Sequence, residues 1–101
     1  MNATVSIGRN VNGTPVDAYA WRKIQRETRA RLAALGTVFY SGAGRGDGAW
    51  GREDAYTVVL EATPADVRRV AADLAWVFHQ DAVAVTFGTV EFIAADGAAA
   101  V

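Results

Sequence analysis

The segment 42–51 sets Arg45, Asp47 and Trp50 among five glycines, and Arg52 and Glu53 follow directly. Gly46, Gly48 and Gly51 match the spacing of a dinucleotide-binding fingerprint, in which glycines let the backbone approach a pyrophosphate at a helix N-terminus. That chemistry needs a strand before the glycines and a helix after them. Here a strand pattern follows, which argues against nucleotide binding by this route. Arg45-Gly46-Asp47 also spells an integrin tripeptide, but no signal peptide or disulfide accompanies it, and chance is the default reading. What remains is a flexible segment carrying Trp and Arg, the side chains most enriched at binding hot spots. The bland alternative is a solvated hairpin with Trp50 folded over a sheet edge.

His79 is the only histidine, and there is no cysteine. Thiol catalysis and metal–thiolate sites are therefore excluded, and the carboxylates show no ligand spacing for a metal. A general-base pairing of His79 with Glu53 or Asp54 would require the fold to bring them together. Arg22, Lys23, Arg26 and Arg29 cluster on one face of a helical pattern. Such a run is ordinarily a solvated face, and the functional alternative is a phosphate backbone. Phe39 and Tyr40 could stack on RNA bases from a strand, but the usual aromatic RNA-binding signature is missing. Trp76 lies off the apolar stripe of its helix, so it is either tucked under a loop or part of an interface.

The elements that must position these residues follow from spacing. The chain has 101 residues, 51% hydrophobic and 21% charged, with net charge −1, as in an ordinary soluble single domain. No stretch approaches the roughly 20 apolar residues of a membrane helix. Thr14-Pro15-Val16-Asp17 and Thr63-Pro64-Ala65-Asp66 read as matching helix starts: Thr caps, Pro opens the first turn, and Asp meets the dipole. The first helix is expected over 15–35, with Trp21, Ile24, Thr28, Leu32 and Leu35 inward. The second is expected over 64–79, with Val67, Val70, Ala71, Leu74, Val77 and Phe78 inward. Strands are expected over 4–8, 37–41, 54–61 and 82–87. Arg9 to Gly13 reads as a polar loop and 42–51 as a long flexible hairpin loop, because glycine loses the most backbone entropy in a regular element. Gly88-Thr89 is either a bulge or a turn into a short fifth strand over 90–93.

The order βαββαβ predicts an α+β, ferredoxin-like sandwich: an antiparallel sheet with two helices on one face, spanning 1–94, and a flexible tail over 95–101. Ile7-Gly8-Arg9-Asn10-Val11, Pro15 and Trp21, the glycine-rich stretch ending Trp50-Gly51-Arg52-Glu53, and Gln80-Asp81 leading into residues 83–88 together give a resemblance. The chain resembles small accessory proteins of actinobacterial phages over about 90 residues. The resemblance implies a cytoplasmic accessory product that binds a host protein, and it transfers no catalytic residue. The expected function is thus a non-enzymatic protein-binding module, with Arg45, Asp47, Trp50, Arg52, Glu53 and Trp76 as partner-binding residues and no cofactor or metal. The alternative is a homodimeric small-ligand protein or enzyme built on the open sheet face, which would carry Thr4, Ser6, Thr57, Val59 and Thr86 with Phe39 or Tyr40. Nucleic-acid binding through the basic face of the first helix ranks third.

Overall fold

The computed structural model describes residues 1–48, 51–87 and 90–98, without the side chains of 44–48, 51, 52 and 90–92. Strand β1 (Asn2–Gly8) is followed by a two-stranded hairpin, β2 (Asn10–Val11) and β3 (Thr14–Pro15), and by helix α1 (Ala18–Ala33). Then come β4 (Val38–Gly48), β5 (Gly51–Glu61), α2 (Pro64–Val77), β6 (Val83–Thr86) and β7 (Val90–Ile93). The main sheet has the order β4-β5-β1-β6-β7, and every neighbouring pair is antiparallel. This is the expected ferredoxin-like arrangement, with β7 added as a fifth strand.

Alternation along the strands decides which face is covered. Ala3, Val5 and Ile7 of β1, Val58 and Leu60 of β5, and Val83 and Val85 of β6 are all buried. Trp21, Ile24 and Leu32 of α1 and Val67, Val70, Ala71 and Leu74 of α2 complete a single core with them, so both helices lie on one face. Thr4, Ser6, Thr57 and Val59 are half-buried on the other face, where the Ser6 and Thr57 hydroxyls sit 2.9 Å apart. The apolar spacing therefore gives the correct phase for both helices. Val77, expected inward, is 42% exposed because α2 ends there.

Two expectations are overturned. Thr14 caps nothing: Val11 pairs with Thr14 and Asn10 with Pro15, and α1 starts later, at Asp17, whose Oδ1 accepts the Ala20 N–H at 2.8 Å. Asp serves an N-cap as well as Thr does, and the missing proline N–H is harmless in a two-residue edge strand. The physical cause is Asn12-Gly13, both with left-handed backbones (φ 52° and 79°). This pair is the preferred centre of a tight hairpin turn, so residues 9–13 are not a featureless loop. Thr63 does cap α2, accepting the Asp66 N–H at 3.4 Å.

The second correction concerns the glycine-rich segment. It is not a loop from Gly42 onward: β4 runs to Gly48 and pairs residue for residue with β5, from Gly42 with Thr57 to Gly48 with Gly51. The entropy cost of glycine is outweighed by a continuous ladder of backbone hydrogen bonds to β5, which β1 holds on its other edge from Ala55 to Glu61. Within 42–51, Ala49 and Trp50 lie outside the described residues, as do Gly88, Thr89 and 99–101 elsewhere. At the C-terminal side, the Ala94 and Ala98 backbones close a turn (3.0 Å).

Candidate functional site

The end of β1 carries the most developed polar site among the described residues. Gly8 lies under Glu53: a Cβ there would collide with the Glu53 carboxyl group. Having no side chain, Gly8 leaves room for that carboxylate to cross the sheet. Glu53 Oε2 then accepts the Asn10 N–H at 2.8 Å. The Asn10 carbonyl in turn accepts the Gln80 side-chain amide at 3.3 Å, and Gln80 is only 9% exposed. Arg9 anchors the same turn. Its N–H reaches the Asp54 carbonyl (2.9 Å), its Nε the Val16 carbonyl (2.9 Å), and its guanidinium lies 3.5 Å from the Asp54 carboxylate.

These contacts frame a cavity of about 260 Å³ walled by Asn10, Asn12 and Gly13 from the small hairpin, Glu53 from β5, and His79, Gln80, Asp81 and Ala82 from the end of α2. None of those residues is a lysine or arginine. The walls offer two carboxylates, three side-chain amides and an imidazole. Such a surface suits a ligand rich in donors or positively charged, because each carboxylate is acceptor-only when ionised. A second cavity, about 510 Å³ and mostly apolar, lies between α1, the small hairpin and the end of α2, and His79 lines both. Among the described residues no cluster of three or more His, Asp or Glu is placed to hold a metal, and no helix is long and apolar enough to cross a membrane.

The sequence-predicted residues are distributed as follows. Glu53 and His79 wall the same cavity. Asp54 faces Arg9 instead. The backbones of Arg45, Asp47 and Arg52 lie in the β4–β5 ladder, Arg45 opposite Asp54 and Asp47 opposite Arg52, and their side chains are outside the description. Trp50 is outside it altogether. Trp76 is 73% exposed on α2. Arg29 of the basic face donates to Ser41 Oγ at 3.1 Å, tying α1 to β4. Asn10, Asn12, Gln80 and Asp81 also wall the polar cavity, and the sequence does not mark them as site residues. Asn12-Gly13 carries a readable signal as a hairpin turn, but Gln80 carries none, being a polar residue after a helix end.

No family model and no curated protein matches the sequence. Among solved structures, the chain is similar to a phage SAM lyase in its apo state, with a TM-score of 0.62 and 17% identity over 94% of this chain and 89% of that one. That likeness establishes the fold.

Proposed function

We propose that the chain binds, and as a lyase cleaves, a small sulfonium metabolite of the S-adenosylmethionine class at the Glu53 cavity. The observation that carries the reading is Glu53 itself: a carboxylate laid across a glycine and fixed by a backbone N–H, on the wall of a cavity with no lysine or arginine among its described lining residues. A sulfonium and an ammonium are both cations, and in a partly enclosed site a carboxylate attracts them more strongly than in water. The similarity in fold to a phage SAM lyase supports the choice of ligand, and with the sequence resemblance it supports a phage-encoded origin. Glu53 and Asp81 hold the charged end, and the Asn10–Gln80 contact keeps the wall in place. As a carbon–sulfur bond of the sulfonium breaks, its electron pair goes to sulfur and gives a neutral thioether. The ligand's own carboxylate closes a ring on the released carbon, so the step needs no co-substrate and no net proton transfer.

Calorimetric titration with S-adenosylmethionine and chromatographic assay of its consumption test this. Wild type should bind and deplete it without a co-substrate. Glu53→Gln keeps an acceptor for Asn10 but loses the charge, so affinity should fall at least about tenfold, the scale of one charge-assisted contact, at unchanged melting temperature. Absence of binding to wild type at millimolar ligand refutes the reading.

One observation favours a second reading. Trp76 is 73% exposed on α2, and a large exposed apolar group marks an interaction site when a partner covers it. In that reading the chain is the host-protein-binding module expected from its sequence, with Trp76 and the β4–β5 hairpin as its contact surface. Trp76→Ala would then abolish partner capture while S-adenosylmethionine stays untouched by wild type.

A further inference from the structure

His79 occupies a backbone position that suits glycine. Helix α2 ends with the paired hydrogen bonds of a Schellman motif: Gln80 N–H to Ala75 O at 2.9 Å and His79 N–H to Trp76 O at 3.4 Å. The residue after the cap then takes a left-handed backbone, and glycine dominates there because a Cβ is strained. His79 takes it with φ 55°. Among the described residues, the only other non-glycine with positive φ is Asn12, and it lines the same polar cavity. Asn12 has a local reason, since its hairpin turn favours asparagine. His79 has none in the backbone. A strained residue at a cavity wall points from the observed outlier to a use for its side chain.

Size says what that use is. The polar cavity, at about 260 Å³, falls below the roughly 300–1,000 Å³ of small-molecule sites, while the apolar groove, at about 510 Å³, falls inside that range. A molecule that joins a charged amino-acid end to a nucleoside needs two chambers of opposite character. The groove has apolar walls, including Val16, Ala20, Ile24 and Phe78, and Lys23, Glu27 and Arg31 of α1 supply its charged groups. The ring nitrogens of a purine are acceptors for such cations.

We propose that the groove takes the adenosyl end of the ligand and that His79, shared by both cavities, is the contact residue at the junction. This rests on the reading of the Glu53 cavity above. Adenosine, which lacks the amino-acid end, separates the two claims when titrated beside S-adenosylmethionine into wild type, His79→Gly, Ala20→Leu and Glu53→Gln. His79→Gly relieves the strain, so its melting temperature should hold or rise and loss of binding cannot be loss of fold. Ala20→Leu fills the groove from a half-buried position.

The expected result is that both ligands lose at least tenfold in affinity in His79→Gly and Ala20→Leu, whereas Glu53→Gln weakens S-adenosylmethionine alone. If S-adenosylmethionine binds wild type and depends on Glu53, yet His79→Gly and Ala20→Leu bind it as wild type does, the groove assignment is overturned and the Glu53 reading stands. If adenosine binding depends on His79 but S-adenosylmethionine binds no tighter than adenosine, the groove assignment stands and the Glu53 reading falls. If wild type binds neither, both fall.

Discussion

The Thr28 hydroxyl of α1 is fully buried and has no hydrogen-bond partner among the described residues. An unpaired buried hydroxyl loses its hydration without replacing it. Thr28→Val keeps the branched shape and removes the polar atom. Urea unfolding should show stability unchanged or raised by up to about 1 kcal/mol, and a loss of more than that would mean the hydroxyl has a partner. In the sequence Thr28 is legible only as a member of the inward stripe. Glu53 and His79 are likewise legible as reactive groups, but not as neighbours. Their cavity is assembled from segments around residues 8–13, 53 and 79–82, and no spacing along the chain encodes a contact between segments that far apart.

At the scale of elements, the two Thr-Pro-x-Asp phrases part company. Thr63→Ala should cost about 1 kcal/mol, as should Asp17→Ala, because each removes a side-chain acceptor from a helix N-terminus. Thr14→Ala should leave the thermal midpoint within error, since its hydroxyl caps no helix. The identical phrase folds two ways because Asn12-Gly13 turns the chain back just before the first copy, and nothing comparable precedes the second. Helix phase was legible from apolar spacing alone. The extent of β4 was not, because the glycine penalty is a local average whereas pairing to β5 is a long-range gain. Replacing 42–48 with a two-residue Asn-Gly turn should therefore lower the melting temperature, as β5 loses its partners from Gly51 through Thr57. An unchanged melting curve would mean that this part of the ladder adds nothing.

For the whole molecule, the sheet is covered by helices on one side only. Thr4, Ser6, Thr57 and Val59 at the centre of the other side carry no charge, with Glu53 and Glu61 toward its two ends. An uncharged centre can meet that of a second copy without like charges opposed. In the oligomeric form of the enzyme reading, sedimentation should give a mass above that of one chain, and Thr57→Arg should return it to about one chain with the fold retained. A monomeric wild type would confine the ligand site to one chain. The fold class was legible because the element order leaves few topologies. The assembly was not, because a half-polar strand face reads the same in water and in an interface.

The central place of β1 also has a consequence for how the chain acquires its shape. Thr4 pairs with Val59 on one side and with Thr86 on the other. The strand made first therefore has no partner until most of the chain has been synthesised. Closing such long loops precedes any gain from pairing, so folding is governed by distant contacts and is slower than for a helical bundle of this size. Until β5 arrives, β1 presents both backbone edges, and the alternating apolar side chains Ala3, Val5 and Ile7, to whatever lies near the ribosome.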